Sequence, residues 1–457
     1  MIQSWRYAAF LGAVVFLVFF RANSGFTVYS SGDDACYVQT VYDWVGHRAT
    51  ICPDNFYAKG TAVFWLPAAV LAKLGDRFLP HVWGWSFETM LPVWIGLTSF
   101  LLWVFSVFLV IDMARVARVR SRPALFAAFA ALSIPVLYYV TARTTMAHAA
   151  EVFLGCLSIW WMYQNRFFPA LLAAAFSVWV RYNNLPLLVV VGAGAWVGSN
   201  RRERQRLSIL AASIATASVV LLWGRAFGQG YAGFTLGSIL SKVTPNAVVH
   251  TIFGMDWGLV WMNTGWIVTL FGGLWCFTSL SWPARASLAW MLFVFLLSAG
   301  WHSQGDDFGY RYLLGSYAGT VLVCFELAKR FAKTELWRVL EKVCLVGLVW
   351  LLFLTWIYKT DPRLSVELIP QHGWGNPSFQ FEALKTLWHP FDIVKPILIS
   401  PIPTLVLSFA PSLHPSSAKI GLSYGPAIVL ALAALVAVTV AVFTGRKLLV
   451  REFTRLL

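Results

Sequence analysis

Long apolar runs separated by short polar segments dominate the chain. A helix of about 20 apolar residues crosses a hydrocarbon core of about 30 Å. The pattern predicts about twelve transmembrane helices, some of them short, and therefore an all-α polytopic membrane protein. The predicted crossings cover residues 7–20, 89–112, 124–142, 146–164, 167–181, 185–198, 207–226, 263–280, 287–300, 312–328, 343–359 and 426–444.

The basic residues predict the orientation, because lysine and arginine in short loops are retained on the cytoplasmic side. With the N-terminus inside, 20 of the 35 lysines and arginines fall in short segments on that side. An even number of crossings then places both termini in the cytoplasm. The net charge of +15 is explained by this topology, so we expect no nucleic-acid partner.

Residues 1–457 are interpreted as a single transmembrane domain with three long external segments. These segments are 21–88, 227–262 and the proline-rich 360–425. Within the first segment, residues 57–74 form an amphipathic stretch with Lys59 and Lys73 near its ends. Counting this stretch as a crossing would move the basic cluster at 115–122 to the outside. It is therefore predicted to be a juxtamembrane helix on the outer surface.

The composition supports a membrane protein and excludes several other classes. Hydrophobic residues make up 59% of the chain and charged residues 12%, and the mean hydropathy is +0.67. About 25% of the residues in a water-soluble domain are charged. This chain has too few charged residues to cover the surface of such a domain. The chain contains no HExxH, CxxC, Walker, GxGxxG or GxSxG motif, and the enzymes built on those motifs gain no support.

An adjacent pair of aspartates, Asp33 and Asp34, follows the first predicted helix in the segment SSGDDACY. A carboxylate near the outer interface could accept a proton from an acceptor hydroxyl or hold a divalent metal. The alternative is a solvated pair in a turn after Gly32. Other polar residues predicted on the same side, as candidates for contact with an acceptor, are Asp256, His302, Asp306 and Asp307.

Basic side chains at the predicted outer boundary are candidates for binding a phosphate, because an arginine there is costly without an anion. A guanidinium holds a phosphate through two parallel hydrogen bonds. The alternative is that these side chains extend to lipid headgroups. The candidates are Arg311 with its neighbour Tyr310, Arg181, Arg143, His148 and Lys59.

Two pairs of residues have a structural interpretation as well. Glu151 follows His148 by three residues on one helix face, which would suit a metal, but a buried structural hydrogen bond is favoured.

Cys36 and Cys52 are the only cysteines outside the predicted helices. In an oxidising outer compartment they would form a disulfide. The alternative is two free thiols at the membrane surface.

An ordered set of segments along residues 1–330 resembles the GT-C superfamily of membrane glycosyltransferases, which includes protein O-mannosyltransferases and aminoarabinose and arabinofuranosyl transferases. The set begins with Asp33–Asp34 and the juxtamembrane stretch after them. The later segments are RYNN at 181–184, FGMDWGLVWMN at 253–263 and WHSQGDDFGYRYLL at 301–314.

The resemblance implies an inverting transfer of a sugar from a polyprenyl-phosphate donor to a hydroxyl group at the outer face of a bacterial inner membrane. Asp33 or Asp34 would take the acceptor proton, and arginines would stabilise the departing phosphate. The sequence leaves open which sugar is moved and whether the acceptor is a glycan, a lipid or a protein. It also leaves open whether a divalent metal takes part, and it indicates no other cofactor.

Two other classes fit part of the pattern. A twelve-helix transporter or flippase has the right size, but such proteins usually show two similar halves and short external loops. An O-antigen ligase or polymerase also combines about twelve helices with a large outer loop. It would use arginine and histidine of a late loop in place of a first-loop aspartate.

Overall fold

The structure is a computed structural model that describes a little over half of the chain. The described residues are 33–48, 50–52, 59–78, 87–119, 136–141, 146–202, 204–206, 242–253, 259–301 and 311–344, with the isolated positions 8, 9, 12, 216 and 346. Within these ranges the regular structure is helical, and no strand occurs.

The helices are numbered in chain order. They are α1 (Asp33–Trp44), α2 (Gly60–Phe78), α3 (Phe87–Val116), α4 (Val136–Thr141), α5 (His148–Tyr163), α6 (Phe167–Val180), α7 (Leu185–Gly198), α8 (Pro245–Phe253), α9 (Leu259–Met262), α10 (Thr264–Trp275), α11 (Trp282–Trp301) and α12 (Tyr317–Phe331). In the described ranges three 3₁₀ segments lie between these helices: the Tyr182 turn (Tyr182–Asn184), the Phe277 turn (Phe277–Ser279) and the Arg311 turn (Arg311–Ser316).

Two helices within the described ranges are long and apolar enough to cross a membrane. The 23-residue stretch Trp94–Val116 of α3 and the 19-residue stretch Trp282–Gly300 of α11 meet both requirements. The helices α6, α7 and α10 are apolar but shorter. The described part of the chain is thus helical and contains two candidate membrane spans.

Seven of the predicted crossings coincide with described helices, although the bounds differ. These seven are the predictions at 89–112, 146–164, 167–181, 185–198, 263–280, 287–300 and 312–328. The predicted crossings at 7–20, 124–142, 207–226, 343–359 and 426–444 fall wholly or largely outside the described residues. The external segments 227–262 and 360–425 also lie mostly or entirely outside them.

The chain divides into two compact units. The first comprises residues 1–108, 138–149 and 384–457, and the second comprises 109–137 and 150–383. In the described part of the first unit, α1 packs against α2. In the second unit α11 packs against α7 and α12, and α10 packs against α12.

Small residues allow the helices of the second unit to approach closely. A Cβ atom at Gly155 would lie 3.0 Å from the Ala318 side chain, and one at Gly273 would lie 2.8 Å from Leu288 and 3.0 Å from Val323. Such close contacts of small residues stabilise helix pairs by van der Waals packing, which suits a lipid environment. They bring α5 close to α12, and α10 close to α11 and α12.

Candidate functional site

A buried ion pair, Glu151 and Arg181, lies in the second unit. The Arg181 Nη1 atom is 3.3 Å from Glu151 Oε2, and the two side chains are 14% and 1% exposed. Glu151 belongs to the first turn of α5, while Arg181 ends α6 in extended conformation and donates its backbone N–H to Ser177 O. A buried charge pair is costly to disrupt, because removal of one partner leaves the other uncompensated.

The Tyr182 turn begins directly after Arg181 and is fixed by the Asn184 side chain. Asn184 is buried and donates through Nδ2 to the carbonyl oxygen of Ser177 at 3.2 Å and to its Oγ at 2.9 Å. The Asn184 backbone N–H donates to Arg181 O at 3.1 Å. We call Glu151, Ser177, Arg181, Asn183 and Asn184 the polar cluster.

The polar cluster closes around Gly315 of the Arg311 turn. A Cβ atom built on Gly315 would lie 3.0 Å from Asn184 Oδ1, 3.1 Å from Asn183 Nδ2 and 3.1 Å from Glu151 Oε1. The Tyr182 and Arg311 turns are in contact. Two turns more than a hundred residues apart in sequence, each of which overlaps a segment of the resemblance, therefore meet in this unit.

A hydrogen bond from α10 also holds the Arg311 turn. The Ser316 hydroxyl accepts a hydrogen bond from Trp266 Nε1 at 3.2 Å and donates to Leu313 O at 2.8 Å. Trp266 and Ser316 are both fully buried. Here the structure corrects the sequence prediction, which began an α-helix at residue 312. The chain forms a 3₁₀ segment up to Ser316, and α12 begins at Tyr317.

In the first unit, Asp33 and Asp34 are the first two residues of α1. The backbone is helical from Asp33 onward, so the pair does not lie in the turn that the alternative interpretation predicted. Acidic residues favour a helix N-terminus because they interact with its dipole, which accounts for a helix beginning there. A disulfide between Cys36 and Cys52 joins α1 to the chain that follows it.

Gln39 is a second link between α1 and the chain around Cys52. Its buried side chain accepts hydrogen bonds through Oε1 from the backbone N–H groups of Ile51 at 2.7 Å and Cys52 at 3.3 Å. Its Nε2 donates to Asp43 Oδ1 at 2.8 Å. The disulfide and Gln39 thus attach the same short backbone segment, at Ile51 and Cys52, to α1.

The C-terminal end of α1 packs on the start of α3 through aromatic rings. The His47 ring lies 4.8 Å from the Tyr42 ring and 4.7 Å from the Phe87 ring, measured between centroids. His47 Nε2 is 3.2 Å from Glu88 Oε1. Burial, and then the nearby Glu88 carboxylate, raise the pKa of the Tyr42 phenol above its ordinary value, so that it stays protonated.

The structure describes only some of the remaining predicted site residues. His148 is fully buried, with its ring centroid 4.3 Å from that of Tyr139. Lys59 directly precedes α2, and its carbonyl oxygen accepts from the Ala62 N–H. Arg311 opens the turn named after it. The residues Arg143, Asp256, His302, Asp306, Asp307 and Tyr310 lie outside the described residues.

Sequence reasoning named Asn183 and Asn184 only within RYNN, and it did not single out the other residues that the structure brings into these contacts. Ser177, Asn183, Asn184 and Gly315 surround the buried ion pair, and Gln39 anchors α1. The adjacent asparagines after an apolar run were the available signal, because buried amides require partners. Among the described residues, no group of three or more His, Cys, Asp or Glu is arranged to hold a metal ion.

No family model, curated protein or solved structure matches the chain at a significant level.

Proposed function

We propose that the protein is a membrane glycosyltransferase of the GT-C type. It moves a sugar from a polyprenyl-phosphate donor to a hydroxyl group of a glycan, lipid or protein at the outer face of a bacterial inner membrane. The proposal includes about twelve crossings with both termini in the cytoplasm. The observation that carries it is the contact between the Tyr182 and Arg311 turns, since both overlap segments in the resemblance.

The proposed reaction is a single displacement at the anomeric carbon. The acceptor oxygen attacks that carbon as its proton passes to a first-loop carboxylate, and the bond to the phosphate oxygen breaks with inversion. Asp33 is the proposed base, and Asp34 orients the acceptor or holds a metal. Polyprenyl phosphate leaves with the bonding electrons, and Arg311 stabilises its negative charge.

The helix α2 supports the membrane part of the proposal. Its buried face is lined with small residues and Trp65, while Val70, Leu71, Leu74 and Phe78 are exposed. An apolar face of this kind, with Lys73 and Arg77 beside it, suits a helix lying in the interfacial region of a membrane. It is not among the helices that are long and apolar enough to cross.

The test is to incubate the purified protein with synthetic polyprenyl-phosphate sugars and to measure transfer or hydrolysis. The Asp33→Asn variant should bind donor normally and lose about 10² to 10⁴-fold in turnover, the usual contribution of a general base. Asp34→Asn should be milder, or equally severe if the pair holds a metal, in which case a chelator stops the wild type.

Asp43→Asn is the matched control, because it changes a carboxylate at the far end of the same helix and keeps an acceptor for Gln39. It should retain full turnover. Full activity of both Asp33→Asn and Asp34→Asn would move the base to Asp256 or to Asp306–Asp307. Turnover only with a lipid-diphosphate oligosaccharide, or only transport, would overturn the proposal.

A further inference from the structure

The Arg311 turn lies against the polar cluster at Gly315, a residue without a side chain. Gly315 brings its backbone against three polar side chains, those of Glu151, Asn183 and Asn184. A 3₁₀ segment rises about 2 Å per residue, which puts Arg311 about 8 Å along the same segment. The position of Gly315 on the cluster therefore sets the position of the backbone that carries Arg311.

The cluster itself depends on the Glu151–Arg181 pair. Arg181 joins α6 to the Tyr182 turn through two backbone hydrogen bonds, one to Ser177 and one from Asn184. Its side chain extends to Glu151 on α5. The pair thus connects α5, α6 and the Tyr182 turn at the place where Gly315 rests.

We infer that Glu151 and Arg181 are a positioning pair, which holds the Tyr182 turn and through it the Arg311 turn. The consequence for the donor phosphate, which Arg311 binds, rests on the function proposed above. The consequence for the two turns does not rest on it. Arg181 accordingly acts through the cluster and is not itself a ligand of the donor.

The charges and burial favour this role over direct binding of phosphate. The Arg181 side chain is 14% exposed, and a carboxylate of opposite charge is already within 3.3 Å of it. A phosphate that displaced Glu151 would separate that buried carboxylate from Arg181, which is strongly destabilising. The two models predict opposite effects of removing Glu151.

The test compares Glu151→Gln, Arg181→Met and the double variant. In the positioning model each single variant removes one partner of the buried pair, so amide hydrogen exchange in residues 182–184 and 311–316 should rise about tenfold or more. The donor KM should rise about tenfold while kcat stays within about twofold. The double variant, which buries no net charge, should recover most of the protection and most of the KM.

Direct binding predicts a different pattern. Glu151→Gln would then free Arg181 and leave the donor KM unchanged or lower, while Arg181→Met and the double variant would lose affinity equally. That pattern would overturn the inference, and so would unchanged exchange in both single variants. If the protein shows no transferase activity, the proposed function fails, but the exchange experiment still decides the role of the pair.

Asn184→Ala is a second variant in case Arg181→Met does not fold, since it keeps both charges and removes one of the groups against Gly315. It should also raise exchange in the Arg311 turn, and unchanged exchange there would count against the inference.

Asp112→Asn is the matched control. Asp112 is also buried and paired with an arginine, Arg115, but lies at the end of α3. Its replacement should leave exchange in residues 311–316 unchanged.

Discussion

The two units hold their candidate residues by different means. In the first, the Asp33–Asp34 pair begins a helix that is anchored three residues later by a disulfide and six residues later by Gln39. In the second, Arg311 begins a 3₁₀ segment that is anchored four residues later, where Gly315 meets the polar cluster. Each candidate thus precedes its anchor along the same helical segment.

The disulfide of the first unit and the Glu151–Arg181 pair of the second unit require different surroundings. The disulfide is covalent and depends on an oxidising compartment, but not on the exclusion of water. The Glu151–Arg181 pair depends on burial, because in contact with solvent such a pair contributes little. Reduction should therefore loosen only the first anchor, whereas neutralising one buried charge should loosen only the second.

The largest effect is expected from removing the disulfide. Replacement of Cys36 and Cys52 together by alanine should lower the free energy of local opening of α1 by about 3 kcal/mol, because the bond joins residues 16 apart. Amide hydrogen exchange of residues 35–44 measures this change. Exchange in residues 311–316 should not change, and a similar loss in both segments would contradict the separation of the two anchors.

A side chain at Gly315 should have the next largest effect. Even a Cβ atom there meets polar atoms at 3.0–3.1 Å, so Gly315→Val should destabilise the Arg311 turn by about 1–3 kcal/mol through overpacking. Exchange in residues 311–316 again measures it. Gly192→Ala in α7 is the control, since nothing lies within 4 Å of a Cβ atom there, and it should be neutral or slightly stabilising. Equal tolerance of both substitutions would show that Gly315 is not closely seated.

Within the described residues, local patterns in the sequence predicted seven helices well and the contacts between them poorly. The apolar runs that became α6 and α7 are readable because helix formation depends on neighbouring residues. The partner of Arg181 is Glu151, 30 residues away on another helix, and only tertiary packing brings them together. The disulfide was predictable, because Cys36 and Cys52 were the only cysteines outside the predicted helices.

The start of α12 shows why some boundaries were missed. Residues 312–316 are apolar enough to continue a helix, but Gly315 must approach the polar cluster and Ser316 must receive the Trp266 N–H. Both requirements come from other parts of the unit, and they favour a 3₁₀ segment there. Asp33 and Asp34 were open to two interpretations for a related reason, since aspartates are common both in turns and at helix N-termini.

Loss of the Gln39 side chain should have a smaller effect than loss of the disulfide. In Gln39→Ala the backbone N–H groups of Ile51 and Cys52 lose their acceptor, which should cost about 1–2 kcal/mol at this partly buried site. Exchange of the amides at 51 and 52 reports the change directly. Asp43→Ala, which removes only the outer partner of Gln39, is the control and should leave those amides protected. No difference between the two variants would indicate that the disulfide alone holds this backbone.

The smallest effect is expected at the exposed pair of His47 and Glu88. Their side chains are 25% and 62% exposed, in contrast to the buried pair of Arg181 and Glu151. Water and salt screen such a pair, so Glu88→Gln should change the local free energy of opening at the end of α1 by less than about 1 kcal/mol. Exchange of residues 41–48 measured at low and at high salt tests this, and any loss should disappear at high salt. A larger loss of local free energy that persists at high salt would mean that burial does not explain the difference between the His47–Glu88 and Arg181–Glu151 pairs.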